Sequence, residues 1–152
     1  MKTLVKITLP FAIAAVAAAA SANAPAAVSC HKINAKGIGK DNGDLTTNAR
    51  IIGGGLLHGT TAAAFTPTGL IFPDFFFSGS ITFATNNGTL TASLNGSLNV
   101  VTGEFAATTT GMSGTGQLAG VTGKLTLRGV EDLSTLAFTE DVTGQICVDL
   151  SP

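Results

Sequence analysis

The sequence predicts an all-β protein whose antiparallel strands close into a barrel, with a β-sandwich as the alternative. Apolar and small polar residues alternate at period two through most of the chain. The run from residue 114 to 129 is too rich in glycine for a helix, because each glycine costs a helix roughly 1 kcal/mol relative to alanine. Glycines also share the inward parity of the strands, which favours the tight curvature of a barrel; these are Gly79, Gly96, Gly129 and Gly144.

Residues 1–22 are predicted to be a signal peptide. Lys2 and Lys6 form its positive end, and residues 9–20 form an apolar stretch. That stretch is shorter than the 20 or so residues of a transmembrane helix, and small residues follow it, with cleavage expected after Ala22. We therefore expect a secreted or periplasmic protein with no membrane span. Residues 27–30 loosely resemble a lipidation site, but Ala27 stands where leucine is usual.

The rest of the chain, residues 28–152, has the size of one domain. Without Lys2 and Lys6, six basic side chains stand against nine acidic ones, a formal net charge of −3. The basic residues are scattered, so the sequence lacks the footprint of a protein that binds nucleic acid or acidic lipid. No motif for a cofactor is present.

The first half of the domain predicts three strands and a loop. Strands are expected at residues 30–38, 48–52 and 56–65, with a turn at 40–44 and a bend at the glycines 53–55. Pro67, Gly69 and Pro73 interrupt the alternation, which predicts a longer loop there.

A hairpin at residues 75–100 is the clearest prediction. Phe75, Phe77, Ile81 and Phe83 share one parity, and small polar residues fill the other. Asn-Gly at positions 87 and 88 suits the tight turn, because both residues accept positive φ angles. The return strand alternates from residue 90 to residue 100 in the same way.

Three further strands are predicted in the last third of the chain. They cover residues 104–110, 124–129 and 136–150, and the glycine-rich run forms a sharp corner between the first two. The total is seven to nine strands, each with one apolar and one polar face. An outer-membrane barrel would present its apolar face outward between girdles of Trp and Tyr, and both residues are absent here.

With the strands placed, the chain resembles the allene oxide cyclase-like and dirigent-like β-barrel superfamily, including small exported bacterial members. The matching residues are the strand at 77–83, the Thr-Gly-Glu-Phe turn at 102–105, and above all Gly-Thr-Gly-Gln-Leu-Ala-Gly-Val-Thr-Gly at 114–123. The resemblance covers roughly residues 50–150. It implies an eight-stranded barrel that often forms homo-oligomers, but it carries over no catalytic residue.

The two cysteines, Cys30 and Cys147, stand at the two ends of the domain, and we predict that they form a disulfide. An exported protein meets an oxidising compartment. Both cysteines fall on the polar faces of the first and last strands, which a closed barrel brings together.

Glu140 and His58 are weak candidates for catalysis. Glu140 is a charged residue on the inward parity of the last strand, where burial would raise its pKa and make it a general acid. We expect instead that a bulge at Glu140-Asp141, or a place at the barrel mouth, delivers the side chain to water. His58 shares parity with Leu56 and could line a cavity. The spacing of the histidines, His31 and His58, supports no metal site.

The sequence supports two hypotheses about function. The first is an exported, non-catalytic barrel that binds a small apolar ligand or serves as a structural surface protein, because the inward face is rich in phenylalanine. The second is a cyclase or isomerase acting inside the barrel through Glu140 and His58. We favour the first, since no catalytic constellation is present.

Overall fold

A computed structural model describes residues 28–149, and these form a closed antiparallel barrel of eight strands. Each strand pairs with the next along the chain, and the first pairs with the last. The barrel prediction is confirmed, and the sandwich alternative is wrong. The strands are β1 (Ser29–Asp41), β2 (Thr46–Gly53), β3 (Gly59–Ile71), β4 (Asp74–Thr85), β5 (Gly88–Asn99), β6 (Glu104–Gly114), β7 (Thr122–Asp132) and β8 (Ala137–Val148).

The predicted signal peptide, residues 1–22, lies outside the described residues, as do residues 150–152. Within residues 28–149, no helix has the length and apolar character needed to cross a membrane.

The up-and-down topology gives the barrel two different ends. The turns that join β1 to β2, β3 to β4, β5 to β6 and β7 to β8 lie together at one end, which we call the open end. The other three connections lie at the opposite end, which we call the closed end. The first residue of β1 pairs with the last residue of β8 there, so both described chain ends leave the barrel at the closed end.

Two short 3-10 turns fill the closed end. They span Gly55–Leu57 and Gly116–Leu118, and each buries a leucine, Leu57 and Leu118, completely in the core. Asn87, in the β4–β5 turn, contacts both connections: its carbonyl accepts a hydrogen bond from the Gln117 amide at 2.8 Å, and its side-chain amide donates to the Leu56 carbonyl at 3.4 Å. The glycine-rich corner predicted from the sequence therefore contains one of the two turns that fill the closed end.

Inward glycines make room for phenylalanine rings on the neighbouring strands. Gly39 pairs directly with Phe138, and Gly129 pairs with Phe105. The same arrangement joins Gly79 to Phe65 and Gly96 to Phe77. A Cβ atom on any of these four glycines would lie under 3.0 Å from the ring. These four glycines therefore leave the space that the rings occupy. Three of them, Gly79, Gly96 and Gly129, were predicted to face inward from the curvature of a barrel.

Thr109 completes the β6–β7 ladder where backbone pairing ends. The last paired residues are Thr108 and Thr126. Beyond them the Leu125 amide donates to the buried Thr109 hydroxyl at 2.9 Å, and that hydroxyl donates to the Leu125 carbonyl at 3.4 Å. An unsatisfied buried amide costs about 1–3 kcal/mol. The Thr109 side chain avoids this cost by taking the place of the backbone pairing that ends at Thr108 and Thr126.

Several predicted boundaries are wrong, because β1, β6 and β7 run past their predicted ends and three other segments differ. The loop expected at 67–73 is strand as far as Ile71, because a register shift between Pro67 and Gly69 accommodates the proline within the ladder. Residue 56 lies in a 3-10 turn and not in β3. Leu136, expected in the last strand, stands in the β7–β8 turn with φ 61°.

The predicted disulfide between Cys30 and Cys147 is confirmed. The two residues are direct partners in the β1–β8 ladder, with their Cα atoms 4.0 Å apart. The bond therefore fastens the seam at which the sheet closes on itself.

Candidate functional site

The barrel holds a cavity of about 100 Å³ that reaches the open end. Its apolar wall includes phenylalanines at positions 65, 75, 77, 105 and 138. Phe65 and Phe77 meet edge to face with ring centroids 5.0 Å apart, and Phe105 and Phe138 do so at 5.8 Å. Such contacts add about 0.5–1.5 kcal/mol per pair beyond simple burial, so the rings form a firm wall.

Apolar residues also stand exposed beside the mouth of the cavity. The β3–β4 hairpin carries Ile71 and Phe72, which are 72% and 76% exposed. Val101, in the β5–β6 turn, is 63% exposed. The open end of the barrel therefore carries exposed apolar side chains outside the cavity as well as the apolar wall inside it.

Glu140 lies inside this cavity. It pairs with Gly37 on β1 and with Gly129 on β7, and its side chain is only 7% exposed. The carboxyl group lies over Gly37, where a Cβ atom would be 2.6 Å from Glu140 Oε1. No group in residues 28–149 hydrogen-bonds this carboxyl. Desolvation by burial raises its pKa to about 7.

The expectation that a bulge at Glu140-Asp141, or a place at the barrel mouth, delivers the side chain to water is wrong, because Glu140 is only 7% exposed. The ladders on both sides of β8 run without a register shift through this residue, so the side chain keeps its inward direction. Asp141, the next residue, points outward and forms an exposed ion pair with Lys36 at 2.6 Å.

A second carboxyl group, Glu131, lines the cavity nearer the mouth. It is 8% exposed and lies on the inward parity of β7, with Leu125 and Leu127. Burial first, and then the negative charge of Asp41, raise its pKa. The sequence did not indicate this residue as a site candidate, because the predicted strand ends at residue 129 and β7 continues to Asp132. The same parity continued by one step would have found it.

The two histidines do not join this site. His58 is exposed and follows a 3-10 turn at the closed end, so Glu140 and His58 cannot act as an acid–base pair. His31 is half-buried on β1 near the closed end, where its Nε2 atom is buried without a hydrogen-bond partner. Across residues 28–149, no group of three or more His, Cys, Asp or Glu side chains could hold a metal ion.

The two sides of the cavity differ in chemistry. Asp41, Glu131 and Glu140 come from β1, β7 and β8, which are adjacent. Phe75 and Phe77 come from β4, which lies opposite β8 because it is four places away in a ring of eight strands. None of the described residues that line the cavity is basic. A ligand would therefore meet carboxyl groups on one side only and aromatic rings on both, because Phe138 stands on β8 itself, two residues from Glu140.

Comparison with protein-family models, with curated proteins and with solved structures finds no match for this chain. The chemistry of the cavity is thus the basis for any functional conclusion. Its volume is of the same order as the cavity of about 150 Å³ that binds benzene in an engineered protein core.

Proposed function

We propose that this is an exported β-barrel protein that binds a small apolar ligand in the cavity at its open end. The observation that carries the proposal is a phenylalanine-lined cavity that stays open while the other end of the barrel is filled with side chains. The disulfide is compatible with an oxidising, extracellular or periplasmic compartment.

We also propose that the chain belongs to the allene oxide cyclase-like and dirigent-like superfamily. The support is the Gly-Thr-Gly motif at 114–123 together with a closed barrel of eight strands, the fold that the resemblance implies. Assembly into homo-oligomers is part of the same proposal. A role as a structural surface protein would leave the cavity without a purpose, so we favour ligand binding.

Benzene is expected to stabilise the protein, and filling the cavity should abolish the effect. Ala107 lines the cavity, and the preceding residue, Ala106, is exposed on the outer face of the same strand. At a benzene concentration near ten times its dissociation constant, the melting temperature of the wild type should rise by about 5 °C in differential scanning calorimetry. Ala107→Leu should remove this rise, whereas the matched control Ala106→Leu should keep it.

An equal rise in the wild type and in Ala107→Leu would place the bound benzene elsewhere. The absence of any rise in the wild type would remove the support for a site that accepts small apolar molecules.

A second candidate is proton transfer inside the cavity, and Glu140 alone supports it. A buried carboxyl group with a pKa of about 7 suits a general acid or base near neutral pH. The probe 5-nitrobenzisoxazole tests it, since removal of its ring C–H proton breaks the N–O bond and releases a coloured phenolate. The rate should increase with pH through about 7 and fall about 100-fold in Glu140→Gln. An unchanged rate in that variant would refute this function.

A further inference from the structure

We infer that the ligand of the cavity is a small hydrophobic amine, whose ammonium group binds the carboxylate of Glu140 while its apolar body contacts the phenylalanine rings. The inference rests on the proposed binding function and names the class of ligand that the same cavity would take.

The first observation is that Glu140 has no partner. Its carboxyl group can accept several hydrogen bonds, and it is more than nine-tenths buried and lines the cavity, yet no group in residues 28–149 donates to it. A buried charge without a partner is costly, so a ligand that brings an N–H donor and a positive charge gains from the pairing.

The second observation is the sign of the other charges that line the cavity. On the adjacent strands, Asp41 and Glu131 also line the cavity, and no basic side chain among its described lining residues opposes them. Burial, and then the negative charge of Asp41, raise the pKa of Glu131, so the carboxylates at this end disfavour one another's charged form. A carboxylate ligand, such as a fatty acid, would add to this repulsion, and a cation would relieve it.

The third observation is the aromatic wall opposite. The faces of phenylalanine rings attract cations, more strongly where the cation is desolvated, and their area binds apolar groups. Phe75 and Phe77 lie on the strand opposite Glu140, with ring centroids 6.5 Å apart. A cationic head with a short apolar chain therefore has a favourable contact on each side of the cavity.

Three probes with the same chain and different head groups test the inference: hexylamine, hexanol and hexanoate. Titration calorimetry at pH 8 suits them, because an alkylamine is then protonated and Glu140, with its pKa of about 7, is mostly ionised. The wild type should bind hexylamine at least about tenfold more tightly than hexanol, since a hydrogen bond between charged groups is stronger than one that a neutral hydroxyl makes. Hexanoate should bind most weakly.

Glu140→Gln should lower the affinity for hexylamine by at least about tenfold and change that for hexanol by less than about twofold. The matched control is Asp141→Asn, which removes the neighbouring, outward-facing carboxylate and should change neither affinity. Ala107→Leu should weaken hexylamine and hexanol alike.

Equal binding of hexylamine and hexanol by the wild type would overturn the amine inference and leave the apolar-ligand function standing. A preference for hexylamine that survives in Glu140→Gln would overturn it as well. Binding of none of the three probes would count against both the inference and the proposed function.

Discussion

Replacing Cys30 and Cys147 together with serine is expected to lower the free energy of unfolding by about 4–5 kcal/mol while the barrel topology is kept. The bond joins residues 117 apart in the sequence, so it removes a large amount of chain freedom from the unfolded state. It also joins the two strands whose pairing closes the barrel, and their unbroken register is as long as that of β4 and β5.

Urea unfolding followed by far-UV circular dichroism measures this loss, since the chain has no Trp or Tyr to report by fluorescence. The wild type treated with a reducing agent is the control and should unfold at the midpoint of the double-serine variant. A loss smaller than about 1 kcal/mol, or two free thiols in the denatured and unreduced protein, would contradict the prediction.

Glu140→Gln is expected to remove a loss of stability that the wild type shows as pH rises. Burial raises the pKa of Glu140 from its ordinary 4.5 to about 7, so the folded state binds this proton more tightly than the unfolded state does. The resulting stability is fully present below pH 4.5 and disappears as pH rises through 7. The difference between the two pKa values corresponds to a loss of about 3 kcal/mol in the free energy of unfolding.

The measurement is the free energy of unfolding of both proteins at intervals from pH 4 to pH 8.5. The free energy of unfolding of the variant minus that of the wild type should increase by about 3 kcal/mol towards high pH, because glutamine carries no charge at any pH. Glu131, whose pKa is also raised, and Asp132, whose pKa hydrogen bonds from Ser134 lower, are present in both proteins and cancel in this difference. Asp141→Asn serves as the surface control. A difference that stays constant with pH would show that Glu140 titrates normally.

Alternation along single strands was enough to predict much of the fold. The 75–100 hairpin follows the predicted parity, because each position there needs only its neighbours on the same strand to assign its face. The cysteine pair was predictable for a similar reason, since closure of a barrel determines which strands become neighbours. Glu140 was placed on the correct parity, and the error was to assume that its charge would draw the strand into a bulge.

Features that depend on several strands at once could not be predicted in this way. The cavity exists because rings from four strands meet around a space that they do not fill, and no single segment encodes that volume. The 3-10 turns that plug the closed end depend on contacts between connections far apart in the chain, such as that of Asn87 with Leu56. The exposed position of His58 could not be predicted from parity either, because the 3-10 turn before it changes the direction of the chain.

The position of the described chain ends determines which way the cavity faces when the protein is attached to a surface or fused to another protein. Because β1 begins and β8 ends at the closed end, a tether at Ser29 or Val148 pulls on the end farthest from the mouth. Protein coupled to a sensor surface or fused to a reporter through either position would hold the cavity facing the solution. The exposed Ile71 and Phe72 would lie at this solution-facing end as well, and immobilised protein is therefore suitable for screening ligands directly.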